Sequence, residues 1–140
     1  MQKPTVKGAF VKPVLASLVF ASALFGADGF DVYKQYCASC HMVMLPLQDP
    51  ERSAMQEKMK APTMRMVAMR LKMMINIHNE DEDIQKKVTK AFIKEYIVEP
   101  NEEYVICMPE MVEAYGVMKP VGGMTADEKE AVAEWLWEQF

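Results

Sequence analysis

The chain has 140 residues, room for one domain and not two. It carries 16 lysines and arginines against 20 acidic residues, a balance that argues against a nucleic-acid partner, because gripping a phosphate backbone needs concentrated positive charge. With 2 histidines, no Ser/His/Asp set and no glycine-rich phosphate loop, little is left for nucleophilic, zinc or phosphoryl-transfer catalysis.

The first 26 residues differ from the rest. Lys3, Lys7 and Lys12 come without an acid, and Val14 to Phe25 runs apolar and uncharged. This is the pattern of a basic n-region followed by a secretory h-region, and twelve residues are too short to span a bilayer comfortably. The pattern predicts a signal peptide over residues 1–26, cleaved near Gly26–Ala27, and one domain over 27–140. A cut after Ala23 meets the small-residue rule better. An uncleaved anchor is the alternative, and only then is a membrane involved. The segment has no arginine and little amphipathic pattern, which speaks against a mitochondrial address and for export to a bacterial periplasm. Three of the 16 cationic residues lie in this segment, leaving 13 against all 20 acids in the remainder. That acidity suits a partner with a basic docking patch or simply keeps the protein soluble.

Asp28 is a good N-cap for a short helix running to Tyr36, with Val32, Tyr33 and Tyr36 on its apolar face. Then comes Cys37-Ala38-Ser39-Cys40-His41. Two thiols three residues apart share one face of a helical turn. They can add to the two vinyl groups of one porphyrin, and the next residue, His41, is carried under the iron as proximal ligand. A zinc site or a redox pair also uses C-x-x-C, but zinc wants four protein ligands, and Cys107 and His78 lie far off in sequence.

From Gly29 to His41 the pattern G-x-x-V-Y-x-x-x-C-x-x-C-H resembles the opening of a class I, monohaem c-type cytochrome. The resemblance implies an all-α, cytochrome c-like fold, with N- and C-terminal helices packed together around one covalently bound haem c and inserted helices between. It implies that the residue at Tyr33 packs on the C-terminal helix. The family often has glycines after the motif; Met42-Val43-Met44 stand there instead, so the local loop differs.

Pro46 and Pro50 break helix, and Glu51 to Lys60 reads as a polar helical turn or two. Ala61-Pro62-Thr63 starts a helix whose apolar run extends to Ile77, with Met66, Met69, Met73 and Ile77 on one stripe. In the resembled family a proline carbonyl accepts the ring N–H of the haem histidine; Pro62 is the candidate here and Pro46 its competitor. The chain has 14 methionines. A Met-rich stretch can bind Cu(I), but packing against a porphyrin accounts for Met64 to Met74 more simply.

An acidic turn over residues 79–83 precedes a helix from about Ile84 to Tyr96, with Ile84, Val88, Ala91/Phe92 and Tyr96 on one face. Asn101 caps a short segment through Cys107, itself read as a small buried apolar residue. Pro109 opens a helix over Glu110–Tyr115, ended by Gly116, and the Pro/Gly-rich stretch to Met124 is a loop. Thr125 and Glu128 form a capping box for a last helix to about Gln139, with Val132, Trp135, Leu136 and Gln139 on one face. Lysines and acids along the helices read as solvated faces.

A Met–Pro loop before a capped, Trp-bearing terminal helix is the family's second hallmark. The chain resembles a bacterial subgroup with an insertion between motif and Met loop. The second axial ligand this implies is Met118, two residues before Pro120, with Met108 and Met124 as alternatives and His78 as a remoter one. His/Met ligation raises the reduction potential, and two strong ligands leave no open iron site. The sequence therefore predicts a periplasmic one-electron carrier, not an enzyme, that serves periplasmic redox proteins. The alternative is a haem-bearing subunit of a periplasmic oxidoreductase; a haem-based ligand sensor or a Cu(I)-binding protein comes behind.

Overall fold

A computed structural model describes residues 26–77 and 81–140. The signal segment before Gly26 and the candidate ligand His78 lie outside the described residues. Those residues form an all-α protein of six helices: α1 (Gly29–Tyr36), α2 (Glu51–Gln56), α3 (Met64–Met74), α4 (Glu82–Tyr96), α5 (Pro109–Tyr115) and α6 (Ala126–Gln139). One 3-10 turn, Glu102–Tyr104, joins α4 to α5. Among the described residues no helix is long and apolar enough to cross a membrane.

Local chemistry sets the helix starts. The Asp28 carboxylate accepts from the backbone N–H groups of Phe30 and Asp31, both at 3.0 Å, satisfying donors that a first turn leaves free. Asp81 does the same for Ile84 at 2.9 Å. At α6 the Thr125 hydroxyl accepts from Glu128 N while the Glu128 carboxylate accepts from Thr125 N, a reciprocal capping box. Pro109 opens α5, where its missing N–H costs nothing. Gly116, at φ 72°, ends α5 in a backbone conformation open to glycine.

The last helix is the hub. Ala133 is fully buried, and Val132, Leu136 and Trp137 are nearly so. Helix α1 lies against it through aromatic stacking: the Tyr33 ring sits 4.9 Å from that of Trp135, and Phe30 sits 5.8 Å from Trp135. The two backbones approach so closely at Gly29 that a Cβ there would collide with Ala131 O and Trp135 Cβ. Helix α3 adds Met64, Ala68 and Leu71 to the shared core, and α4 adds Ile93. Lys72 closes the C-terminal end of α6, donating to Trp137 O at 2.9 Å with its ammonium 4.5 Å from the Trp137 ring centre, where the helix dipole favours a cation.

Four readings of helix faces are corrected. On α3 the buried stripe is Met64, Ala68 and Leu71; Met69 and Met73 are 49% and 67% exposed. A small residue at Ala68 allows close packing, which a methionine stripe would prevent. On α4 the inward residues are Thr89 and Ile93, while Ile84 and Val88 are 37% and 40% exposed. The cause is the third correction, because the α4 lysines are not free solvated charges. Lys86 pairs with Glu134 and with Glu138 (2.5 Å), Lys90 with Glu130 and with Glu134 (2.5 Å), and Lys94 with Glu130 (2.6 Å). Residues at i, i+4 and i+8 of each helix form an alternating ladder along the α4–α6 seam, and this turns Ile84 and Val88 outward. On α6 itself Trp137 is buried and Gln139 exposed, because the helix is covered from more than one side.

The ladder has a pH signature. Bonds from the lysines hold the Glu130 and Glu134 carboxyls below 4.5. Burial pulls the Lys90 ammonium down, but bonds to Glu130 and Glu134 outweigh it and leave it above 10.5. The carboxylate contribution is therefore full above pH 4.5 and fades as pH falls through the depressed folded values; the Lys90 contribution is full below pH 10.5 and fades as pH rises past it. Glu134→Gln should destabilise the protein at pH 7 by about 1 kcal/mol, the scale of a partly exposed ion pair. Chemical unfolding at pH 7 and pH 3 should show the variant and the parent converging at the lower pH. Gly29→Ala should cost about 1–3 kcal/mol through overpacking at the α1–α6 crossing, read as a lower denaturant midpoint with an unchanged slope.

Candidate functional site

Helical winding continues past Tyr36 into the motif. Cys37 N donates to Tyr33 O at 2.8 Å and His41 N donates to Cys37 O at 2.9 Å. The motif thus occupies the turn that ends α1, Cys37 half-buried, Cys40 exposed, and both thiols free. Burial pushes the Cys37 thiol up to about 11, with the neighbouring Cys40 adding to the rise. The location agrees with that direction, since the negative end of a helix dipole disfavours a thiolate. Reactive redox pairs have the opposite arrangement, with a lowered thiol at a helix N-terminus.

His41 is held at several points. Its ring Nδ1 lies 2.7 Å from Pro62 O. A carbonyl oxygen can only accept, so Nδ1 carries the proton, and in the neutral ring Nε2 keeps its lone pair. Burial lowers the pKa of His41 below 6.5, against the opposing pull of the Pro62 bond, so the ring is neutral at pH 7. Its backbone carbonyl accepts from the Tyr33 hydroxyl at 2.7 Å. Burial, and then the nearby Cys37, raise the Tyr33 pKa above 10, which keeps that hydroxyl protonated as a donor.

Pro62 owes its place to the first turn of α3. Met64 N donates to Met42 O at 2.8 Å and Arg65 N to Val43 O at 3.0 Å. The buried Thr63 hydroxyl accepts from Met66 N at 3.3 Å. Backbone donors that a free helix start would leave to water are thus spent on the two residues after His41. Docking of α3 on this segment presents the Pro62 carbonyl to the imidazole. Pro46, the competing proline, does not take this bond.

The structure therefore brings together Cys37, Cys40, His41 and Pro62. Among the described residues no hydrogen bond joins the three methionine candidates to His41. Met118 is half-buried in the loop after α5. The loop is tied down at two places: Val121 N donates to Ile97 O at 2.8 Å, and the Tyr36 hydroxyl reaches Gly123 O at 3.5 Å and the Glu128 carboxylate at 3.4 Å. Tyr36 immediately precedes Cys37, so this loop is anchored beside the motif. Met124 packs at the edge of the core, and Met108 is 42% exposed at the start of α5. Among the described residues no three His, Cys, Asp or Glu side chains gather as a metal cage.

Sequence reasoning missed the Tyr33 hydroxyl bond and the clasp of α3 on Met42 and Val43. Both depend on how the chain folds back after residue 41, which no local pattern encodes.

The fold and site define a small all-helical protein with a C-x-x-C-H turn closing its first helix. The chain is 31% identical over 146 aligned positions to an uncharacterized protein of Aquifex aeolicus (strain VF5), with 93% of this chain and 89% of that one covered. It belongs to the same family as that protein. No family model and no solved structure matches it.

Thr63→Ala removes the cap that seats α3. It should cost about 1 kcal/mol and weaken the Pro62–His41 bond, read by thermal unfolding and by faster solvent exchange of the His41 Nδ1 proton.

Proposed function

We propose that this protein is an exported one-electron carrier that holds a single covalent haem c through Cys37 and Cys40, with His41 as proximal ligand and Met118 as the sixth. The observation that carries the reading is the 2.7 Å bond from His41 Nδ1 to Pro62 O. It fixes the tautomer, leaves the Nε2 lone pair available for a metal and raises the basicity of the ring. Burial alone also asks for a partner on that N–H; what sets His41 apart is that the bond accompanies two thiols on the turn just before it.

The rest of the residue set is suited to the group. Two unpaired thiols close together on one turn match two thioether bonds. Cys37 and Cys40 would tether the porphyrin, and Pro62 and Tyr33 would hold His41. The loop anchored by Tyr36 and Ile97 would supply the Met118 thioether. When bound, haem c supplies one reversible electron between ferric and ferrous iron. Burial of the imidazole and a soft sulfur ligand would favour the ferrous state. The excess of acids over cations points to partners with basic docking surfaces. The apolar, basic-flanked stretch within residues 1–26 supports export to a periplasm, where such attachment is carried out.

The test is the mass and spectrum of the full-length protein expressed in a bacterium able to mature c-type haem. The secreted product should be red, with the mass of the processed chain plus one porphyrin. Replacing Cys37 and Cys40 together with alanine should abolish both. The oxidised protein should show a weak far-red sulfur-to-iron band that Met118→Ala removes; its survival there would move the ligand to Met108 or Met124. Ready binding of carbon monoxide by the undenatured reduced protein would oppose the carrier reading. A colourless product with the bare chain mass would refute the haem assignment.

A further inference from the structure

We infer that Tyr33 is a positioning residue for the His41 imidazole, acting through its hydroxyl and not merely through its ring. The assignment rests on the haem reading only for its effect on iron; the positioning itself is a property of the chain.

The Tyr33 ring is already accounted for by packing. It is 5% exposed, stacked 4.9 Å from Trp135 and 5.7 Å from Phe30. A phenylalanine would fill that role equally well. The hydroxyl does something else. It reaches past the end of α1 and donates to His41 O at 2.7 Å, across the turn that holds both cysteines. His41 is thereby fixed at three independent points: its N–H on Cys37 O at 2.9 Å, its carbonyl on the Tyr33 hydroxyl, and its ring on Pro62 O. The first bond continues the winding of α1, and the third belongs to α3. The Tyr33 bond ties the His41 carbonyl directly to the α1–α6 crossing, because the stacked Trp135 ring restrains the phenol that donates it. A carbonyl fixed in direction limits rotation of the His41 peptide, and with it the angle at which the ring meets Pro62 O. Without the hydroxyl, the backbone of His41 can rock about its remaining bonds. The Nδ1–H to Pro62 bond then fluctuates, and the ring becomes on average a weaker electron donor.

Tyr33→Phe isolates the hydroxyl, since it keeps the stacked ring. Phe30→Leu is the control, because it disturbs the same aromatic cluster while leaving every bond to His41 in place. The primary readout is solvent exchange of the His41 Nδ1 proton, followed by NMR on the full-length purified protein in the reduced state. This measurement is valid whether or not a porphyrin is attached. Tyr33→Phe should speed exchange roughly three- to tenfold, the scale set by the net worth of one hydrogen bond, and Phe30→Leu should not. Where haem is present, Tyr33→Phe should also raise the reduction potential, because a less basic imidazole stabilises ferric iron less. Unchanged exchange in Tyr33→Phe overturns the inference. So does equal acceleration in Phe30→Leu, which would trace the effect to general loosening. A colourless protein with faster exchange in Tyr33→Phe alone would keep the positioning role while refuting the haem reading.

Discussion

The close crossing of α1 over α6 is the constraint on which the structure depends. It needs a residue without a side chain at Gly29, where any Cβ meets the Ala131 carbonyl and the Trp135 Cβ. Once the two backbones are that near, Tyr33 must stack on Trp135, and its hydroxyl is carried to the turn that ends α1. The motif is therefore placed by packing between the two ends of the described chain, not by local turn chemistry alone. Helix α6 fixes α3 and α4 as well, through the buried Leu136 and Ala133 and through the charge ladder on its other side.

The ladder and the apolar core divide the labour. Apolar burial brings the helices together but is indifferent to small slides along their axes. Alternating lysines and glutamates spaced one turn apart are not indifferent, because a shift of one turn leaves the end charges unpaired. Lys90, with its side chain only 15% exposed between Glu130 and Glu134, is the position where such a shift would cost most. Register along α4–α6 in turn holds Ile97, whose carbonyl anchors the loop bearing Met118.

Much of this was legible in the residues. Helix starts at Asp28, Thr63, Pro109 and Thr125 follow from short-range capping chemistry, and α6 begins where Thr125 and Glu128 require. Pro62 is legible only through the family resemblance, in which a proline carbonyl accepts from the haem histidine, and Pro46 is its competitor in the sequence. Helix faces were less legible. Met66, Met69 and Met73 form a regular stripe, yet the core takes Met64, Ala68 and Leu71, since contact depends on how closely the partner helix approaches. Likewise Lys86, Lys90 and Lys94 carry no sign in their spacing of whether water or Glu130 and Glu134 lies opposite. The Tyr33 hydroxyl was invisible for the same reason: its acceptor is eight residues away around a turn whose path is set by α3.

The outward methionines of α3 have a chemical consequence. Met73 and Met74 are 67% and 54% exposed, while Met64 is 7% exposed. Thioethers at the surface meet peroxides first, and conversion to the sulfoxide makes a side chain polar. On a solvated face that change breaks no packing. The outer sulfurs of this helix can consume oxidant and be restored enzymatically while the buried one, and the turn it helps to seat, stays intact.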